Sequence, residues 1–88
     1  MAVLFIVNRA SALTSCLATA EPSDTVLLIE DGVFGAIGAQ AAPSQLAALE
    51  PDLRARGLLG RIAAGVSVIS DADFVDLAAT HSPIVTWR

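Results

Sequence analysis

Two uninterrupted apolar runs constrain the fold of this chain more than any other feature. The first, residues 2–7, reads Ala-Val-Leu-Phe-Ile-Val; the second, Val-Leu-Leu-Ile, is the centre of residues 25–30, which read Thr-Val-Leu-Leu-Ile-Glu. Neither run alternates between apolar and polar side chains, as a strand with one solvated face does. Such runs are typical of strands buried on both faces of a parallel sheet. Because parallel strands need crossover connections, the runs also predict helices between the strands.

The segment that follows the first run has the period of a helix. Its apolar side chains recur at i, i+3, i+4 and i+7, the stripe of an amphipathic helix; they are Leu13, Cys16, Leu17 and Ala20. The segment begins near Ser11. Pro22 predicts its end, because proline disfavours the helical conformation at the residue before it.

A second helical stripe lies near the C terminus, at Phe74, Leu77, Ala78 and His81. Ser70 stands three residues before Asp73, which is the spacing of a capping box and predicts that the helix begins after this serine. Pro83 predicts its end, since proline cannot continue the hydrogen-bond ladder.

Three further segments predict strands. Residues 66–69 and 84–87 are short and rich in β-branched side chains. Residues 45–50 favour a helix by propensity, but their position before Pro51 suits a third strand, which we predict here. With the two apolar runs, these segments give a sheet of four or five strands.

Two short helical segments complete the pattern. One is predicted through Phe34, Ile37 and Ala41, weakened by two glycines at about 1 kcal/mol each. The other covers one or two turns over residues 52–57, with a glycine to close it. Strands that alternate with helices predict a single three-layer α/β domain over residues 1–88, with a small, mostly parallel sheet.

The apolar content is high for so short a chain. A chain of 88 residues is 55% apolar, with a mean hydropathy of +0.67, yet a domain of this size buries only about 60% of the surface that its unfolded form exposes. Some apolar side chains must therefore lie on the surface, and contiguous apolar surface usually marks an interface. Composition alone predicts that the chain associates with other subunits.

The charges exclude several functions. The net charge is -4, and all five basic residues are arginines scattered among nine carboxylates, so we expect no direct binding of nucleic acid, which needs a clustered basic face. The absence of lysine excludes a Walker A loop and a Schiff base. The glycines at 32, 35 and 38 lack the GxGxxG spacing of a dinucleotide loop, and we expect no cofactor.

Cysteine usage and hydropathy predict a cytoplasmic protein. One cysteine cannot form an internal disulfide, and one histidine with one cysteine cannot build a structural zinc site, so we expect no metal. The sequence Leu-Thr-Ser-Cys at 13–16 looks like a lipoprotein cleavage box, but no basic start and long apolar stretch precede it. No segment approaches the about 20 apolar residues needed to cross a membrane.

Cys16 is the one candidate for catalysis. A catalytic cysteine needs an exposed thiolate of lowered pKa, whereas the helical stripe directs Cys16 toward the sheet, where cysteine behaves as a small hydrophobe. We favour the packed interpretation and keep the reactive one open. His81 at a helix end is interpreted as a cap.

The other charged clusters have structural explanations. Asp71, Asp73 and Asp76 lie at or near the start of the last helix, where carboxylates are stabilised, so we do not predict a metal site there. Arg54 and Arg56 are able to attract an anionic carrier protein, but a solvated or helix-terminal role is favoured.

The sequence resembles the TusB/DsrH family of sulfur-relay subunits over nearly its whole length. In the C-terminal half the resemblance rests on Pro-Asp-Leu-Arg-Ala-Arg-Gly-Leu at 51–58, Val-Ser-Val-Ile-Ser-Asp at 66–71, Phe-Val-Asp-Leu at 74–77 and a tryptophan near the end. In the N-terminal half it rests on Asn-Arg at 8–9, Ser-Cys-Leu at 15–17 and Leu-Leu-Ile-Glu-Asp-Gly-Val at 27–33.

The resemblance implies a DsrEFH-like fold and a heterohexameric assembly with TusC/DsrF-like and TusD/DsrE-like subunits. Such a complex receives persulfide sulfur from a TusA-like carrier and passes it to a TusE/DsrC-like protein. One branch of the family serves 2-thiouridine formation at the tRNA wobble position, and another serves sulfur oxidation. A cysteine that matches Cys16 occurs in some DsrH-like members, which favours the oxidation branch.

The chain departs from the pattern of the family's persulfide-bearing subunit. TusD/DsrE-like subunits carry their reactive cysteine near the end of the third strand, where this chain reads Leu-Glu-Pro-Asp at 49–52. The resemblance therefore implies a non-catalytic subunit of a sulfurtransferase complex in preference to an enzyme that acts alone. The alternatives are a Cys16-dependent sulfur carrier and a free-standing homo-oligomeric binding module of the same fold.

Overall fold

The sheet that the apolar runs predict is present in the computed structural model, which describes residues 2–38 and 44–88. Its strands are β1 (Leu4–Arg9), β2 (Thr25–Asp31), β3 (Gln45–Leu49), β4 (Val66–Ile69) and β5 (Ile84–Trp87). They lie in the order β4-β3-β2-β1-β5, and each neighbouring pair is parallel. The predicted fold class, a small three-layer α/β domain, is confirmed.

The third strand shows tertiary structure overriding local propensity. Residues 46–49 are buried, and β3 pairs with β2 on one side and β4 on the other. Its alanines and leucines favour a helix in isolation, but sheet pairing and burial decide the conformation. The first strand begins two residues later than predicted, at Leu4.

The helices are α1 (Leu13–Thr19), α2 (Glu50–Ala55) and α3 (Asp71–Thr80), with 3₁₀ turns at Ala10–Ala12, Gly32–Ala36 and Leu59–Arg61. Pro51 lies in the first turn of α2, where its missing N–H group leaves no hydrogen bond unmade. Gly57 follows the helix with φ of +68°, which confirms the predicted closing glycine.

The capping box of α3 is confirmed. The Ser70 hydroxyl accepts a hydrogen bond from the Asp73 backbone N–H at 3.1 Å, and the Ser70 N–H donates to the Asp73 carboxylate at 3.1 Å. Two N–H groups at the start of the helix are thereby satisfied.

The prediction of a helix through Phe34, Ile37 and Ala41 is wrong over the residues that the structure describes. Gly32–Ala36 forms a 3₁₀ turn, Ile37 is extended, and Ala41 lies outside the described residues. Val33 and Ala36 are the buried apolar residues of this turn, whereas Phe34 and Ile37 are exposed. A Cβ on Gly32 would clash with the carbonyl oxygen of Val7, so the turn passes against β1 where only glycine fits.

One face of the sheet, here called the packed face, carries the larger hydrophobic cluster. Among the described residues, fourteen buried side chains from β1, β2, β3, α1, α2 and the turns form it, with Val7, Cys16, Val26, Leu28 and Leu53 fully enclosed. Val85 and Trp87 of β5 pack against its margin. This face is closed by the chain's own elements.

The opposite face, here called the α3 face, is covered by α3. Only Leu4, Leu27 and Ala47 are buried in its cluster, and Ile6, Ile29, Ile69, Phe74, Leu77 and Ala78 pack around them while partly exposed. Since α3 connects the two edge strands of the sheet, it has to cross this face, and its ten residues cannot cover five strands.

Candidate functional site

Cys16 is enclosed in the packed face. Its side chain is 0% exposed and lies in the cluster with Leu13 and Ala20. Burial, reinforced by the negative charge of Asp24, raises the pKa of the Cys16 thiol to about 11. A persulfide carrier needs an accessible thiolate of lowered pKa. Cys16 is instead inaccessible, and its pKa is raised.

The C-terminal tryptophan fixes the helix that carries Cys16. Trp87 Nε1 donates to the Ser15 hydroxyl at 2.9 Å, and the Trp87 ring meets the Phe5 ring edge-on with centroids 5.7 Å apart. An indole placed with its N–H bonded and its body on apolar neighbours is held firmly. The contact ties β5 to α1 and β1 across 72 positions of sequence, which periodicity alone could not reveal.

The carboxyl end of β3 is built from acidic and basic side chains. The strand ends at Leu49, and Glu50 starts α2 directly. The Asp52 carboxylate accepts from the Glu30 backbone N–H at 2.6 Å, where Glu30 has a φ of +49°. A hydrogen bond to an ionised acceptor is among the stronger kinds, and here it holds the end of β2 in an uncommon backbone conformation.

The two arginines of this region have different partners. Arg56 donates from Nε to Asp31 at 3.0 Å and from Nη1 to the Asp52 carbonyl at 3.1 Å, so it connects the end of β2 to α2. Arg54 pairs with Glu50 one turn earlier at 3.2 Å, and both side chains are largely exposed. The solvated role predicted for Arg54 fits this geometry, while the cross-link made by Arg56 was missed, since its partner is 25 positions away.

Asp24 organises the amino edge of the sheet. Its carboxylate accepts from the Val3 N–H at 2.9 Å and from the Glu21 N–H at 2.8 Å. These two backbone donors lower the pKa of Asp24 below its usual value. The residue was missed in the sequence, although a carboxylate closing a Pro-Ser-Asp turn just before a buried strand is a recognisable signal.

His81 lies at the same edge, one residue after α3. Its Nδ1 is 2.9 Å from the Leu77 carbonyl oxygen, to which it can only donate, and its Nε2 is 3.0 Å from the Thr25 hydroxyl. In the neutral ring, Nε2 then accepts from Thr25. The ring therefore fastens the end of α3 to the start of β2, which agrees with the cap predicted for it.

An open groove lies between α3 and the edge of the sheet on the α3 face. It has a volume of about 570 Å³, its wall is one side of α3 (Asp73, Asp76, Leu77 and Thr80), and its floor includes Ala47, Ser67 and Ile69 of β3 and β4. We call it the α3 groove. It is an accessible concave surface, but it has no thiol and therefore offers no place for a persulfide.

The sequence-predicted candidates do not converge. Cys16 is enclosed in the packed face, His81 caps α3 at the amino edge, and Arg56 is bonded at the carboxyl edge. Within residues 2–38 and 44–88, no three His, Cys, Asp or Glu side chains are grouped to hold a metal ion. No helix among these residues is long and apolar enough to cross a membrane.

Comparison with known proteins gives the family. The model of the family described as DsrH like protein matches residues 8–84. The chain belongs to the TusB/DsrH family. It is 35% identical over 82 residues to Protein TusB of Yersinia pestis (strain Pestoides F), covering 85% of this chain and 86% of the relative. It is 39% identical over 71 residues to Protein TusB of Enterobacter sp. (strain 638), covering 73% and 75%.

In this TusB/DsrH chain, the match spans most of the geometry described above. Residues 8–84 include α1 with Cys16, the junction of β3 and α2, and the whole of α3. The family resemblance seen in the sequence is therefore confirmed. The junction of β3 and α2, where the resemblance places the thiol of TusD/DsrE-like subunits, holds Leu49 and Glu50.

Proposed function

We propose that this chain is a non-catalytic subunit of a sulfur-relay complex. It assembles with TusC/DsrF-like and TusD/DsrE-like subunits in the cytoplasm, and the complex passes persulfide sulfur from a TusA-like to a TusE/DsrC-like carrier. Membership of the TusB/DsrH family supports the relay in general. The observation that carries the non-catalytic role is the burial of Cys16, the only thiol of the chain.

The thiol chemistry supports this role. With a pKa raised to about 11, the Cys16 side chain is a thiol and not a thiolate at pH 7. Its full burial also prevents a carrier protein from reaching the sulfur. The chain's contribution is then structural, which agrees with its apolar excess and with a sheet face that its own helices leave partly open.

For the destination of the sulfur we propose tRNA wobble-uridine 2-thiolation. Both relatives named above are TusB proteins, and resemblance to them implies that branch. The cysteine that favours the sulfur-oxidation branch carries less weight, because the structure accounts for it by packing alone.

Reconstitution tests the proposal. The chain is co-expressed with the TusC-like and TusD-like subunits of the same organism, and the complex is sized by native mass spectrometry. Transfer of persulfide from a TusA-like to a TusE-like protein is then followed with wild type and Cys16→Ala. We expect a stable heteromeric complex and equal transfer rates. Val33→Ala, which removes another fully buried side chain of the same cluster, controls for loss of packing.

Three results would overturn the proposal. Loss of transfer in Cys16→Ala with retention in Val33→Ala would make the chain a sulfur carrier. A stable homo-oligomer that ignores the other subunits would make it a free-standing binding module. Rapid carbamidomethylation of Cys16 by iodoacetamide in the native complex, without the urea that we expect the reaction to need, would contradict its burial.

A further inference from the structure

The end of β2 holds the only aspartate of the sequence that a glycine follows. Asp31 closes the strand, and Gly32 begins the 3₁₀ turn. An aspartate before glycine is prone to form a cyclic imide, because glycine has no Cβ to shield its backbone nitrogen or to restrict rotation beside it. The chain therefore contains one position at which an aspartate is chemically prone to rearrange.

Packing requires the glycine of this pair. A Cβ at position 32 would clash with the Val7 carbonyl oxygen and would lie 3.3 Å from the Arg9 backbone nitrogen. Gly32 is itself buried against β1. Since the fold fixes the glycine, protection of the pair has to come from the way in which Asp31 is held.

Arg56 holds the Asp31 carboxylate. Its Nε and Nη2 lie 3.0 and 2.9 Å from Oδ1 of Asp31, and its Nη1 donates to the Asp52 carbonyl oxygen at 3.1 Å. The guanidinium is thereby fixed on α2 and is 26% exposed, whereas the Asp31 side chain is 72% exposed. Within the described residues, Arg56 is the one partner of this carboxylate.

The backbone at Asp31 is also held away from the geometry of the imide. Asp31 has a φ of -69° and a ψ of -13°, whereas a nearly planar imide ring requires a ψ far from this value. Glu30 before it is fixed by the hydrogen bond from its N–H to the Asp52 carboxylate. Ring closure therefore requires the end of β2 to open locally.

We propose that Asp31 is a site of spontaneous covalent modification, and that Arg56 suppresses the modification by holding the end of β2 closed. When this end opens, Asp31 and Gly32 form a succinimide that hydrolyses to aspartate or isoaspartate. The inference goes beyond the proposed function and needs no partner subunit.

The reaction needs no reagent besides water. The Gly32 nitrogen attacks Cγ of Asp31, a C–N bond replaces the bond from Cγ to its hydroxyl oxygen, and the hydroxyl leaves with the amide proton as water. Water then opens the ring. Attack at Cγ regenerates aspartate, whereas attack at the main-chain carbonyl leaves the backbone running through Cγ, which is isoaspartate.

The product does not fit the closed end of β2. Isoaspartate adds a methylene group to the backbone and shortens the branch that carries the carboxylate. Gly32 is then displaced from Val7, and the carboxylate no longer reaches Arg56. The modified chain presents an isoaspartyl carboxylate, which is the substrate class of enzymes that methylate this group.

Ageing of the full-length chain at neutral pH tests the inference. Isoaspartate is measured by enzymatic methylation and is located by electron-transfer fragmentation, and the chain in urea gives the unprotected rate. We expect the native chain to react at least about tenfold more slowly than the chain in urea. Arg56→Gln should react about threefold to tenfold faster than the native wild type.

Three variants serve as controls. Arg54→Gln removes an arginine of the same helix whose partner is Glu50. Leu27→Ala weakens the fold while leaving Asp31 and Arg56 in place. Both should react within about twofold of wild type. Asp31→Glu should abolish the signal at this position, because its longer side chain would have to close a six-membered ring.

Each alternative result overturns part of the inference. An absence of isoaspartate at position 31 in urea would remove the site. Equal rates for the native chain and the chain in urea would show that the end of β2 is not held closed. An Arg56→Gln rate equal to that of Arg54→Gln would remove the role of Arg56. A Leu27→Ala rate as high as that of Arg56→Gln would assign the reaction to global unfolding. The proposed relay role stands under all four results.

Discussion

The packed face and the α3 face share five strands but differ in how they are covered. In the part of the chain that the structure describes, fourteen buried residues form the cluster of the packed face, which α1, α2 and the turns close, whereas three are buried beneath α3 on the other face. Adjacent side chains of β2 show the contrast, since Leu28 points into the larger cluster and Leu27 into the smaller one. Both side chains are 0% exposed, but Leu28 belongs to the larger hydrophobic cluster and Leu27 to the smaller one.

This difference indicates which face of the sheet contributes most to the stability of the fold and which face is available for association. A small domain has limited capacity to bury surface, and this chain concentrates that capacity on one face. The other face keeps apolar and acidic surface accessible in the same groove. We therefore expect the packed face to dominate the free energy of unfolding and the α3 face to respond most to partners.

Truncation of Leu27 and Leu28, the adjacent leucines of β2, should give the largest difference between the two faces. We expect Leu28→Ala to lower the free energy of unfolding by about 3–5 kcal/mol and Leu27→Ala by about 2–3 kcal/mol, because a thin layer relaxes into a cavity more readily. Urea unfolding followed by fluorescence of Trp87, the single tryptophan, measures both. Equal losses would show that the two faces are equally rigid.

The second prediction concerns the tightest approach on the packed face. Gly32→Ala places a methyl group against the Val7 carbonyl oxygen, and we expect a loss of about 3 kcal/mol. Gly60→Ala is the matched control, since a Cβ there meets nothing within 4 Å and its φ is not positive. Thermal unfolding of both variants checks the expectation, and a neutral Gly32→Ala would contradict the close approach.

The third prediction addresses α3 itself. Ser70→Ala removes the side-chain half of the capping box, and we expect a loss of about 1 kcal/mol. The effect should be concentrated in faster hydrogen exchange of the first turn of α3, with β2 protected as before. Ser11→Ala, at an exposed position before α1, serves as a control. Uniformly faster exchange would mean that α3 does not open independently.

The smallest effect is expected for pH. The pKa of Asp24 is lower in the folded chain than in the unfolded chain, because the Val3 and Glu21 N–H groups bond the carboxylate. Its contribution is therefore complete above the unfolded pKa of about 4 and is lost as pH falls through the folded value. Asp24→Asn should be less stable than wild type at pH 7 and should lose less stability on acidification.

Urea midpoints between about pH 5 and pH 2 measure this loss, with exposed Asp71→Asn as the control. A variant at Asp24 that follows the wild-type pH dependence would show that another carboxyl group is responsible.

The features that the sequence predicted correctly depend on residues close together in the chain, and most of the features that it did not predict depend on residues far apart in the chain. The capping box of α3 was predictable because its two partners are three residues apart. The helix predicted through Phe34 was wrong, and the close approach of Gly32 to Val7, 25 positions earlier, is a long-range feature that helical periodicity does not contain. The cross-link made by Arg56 was missed because its partner is 25 positions away. Asp24 was missed although one of its donors, the Glu21 N–H, is only three residues away; the other, the Val3 N–H, is 21 positions away.

The features of the candidate site also divide into one that the sequence predicts and one that depends on the tertiary structure. Helical spacing alone directed Cys16 toward the sheet, and its burial agrees with that direction. The α3 groove has no signature in the sequence, because its wall and floor come from α3, β3 and β4. Such a surface exists only once the strands are ordered.

By itself, the sequence determined the parallel α/β class, the positions of β1, β2, β4 and β5 and the start of α3, because continuous apolar runs and a local cap act over a few residues. The tertiary structure decided that β3 is a strand and that Trp87 bonds to Ser15 of α1. It also decided that one face of the sheet carries a large buried cluster and the other a small one. These outcomes depend on which strand lies beside which, and that order arises from packing between segments far apart in the chain.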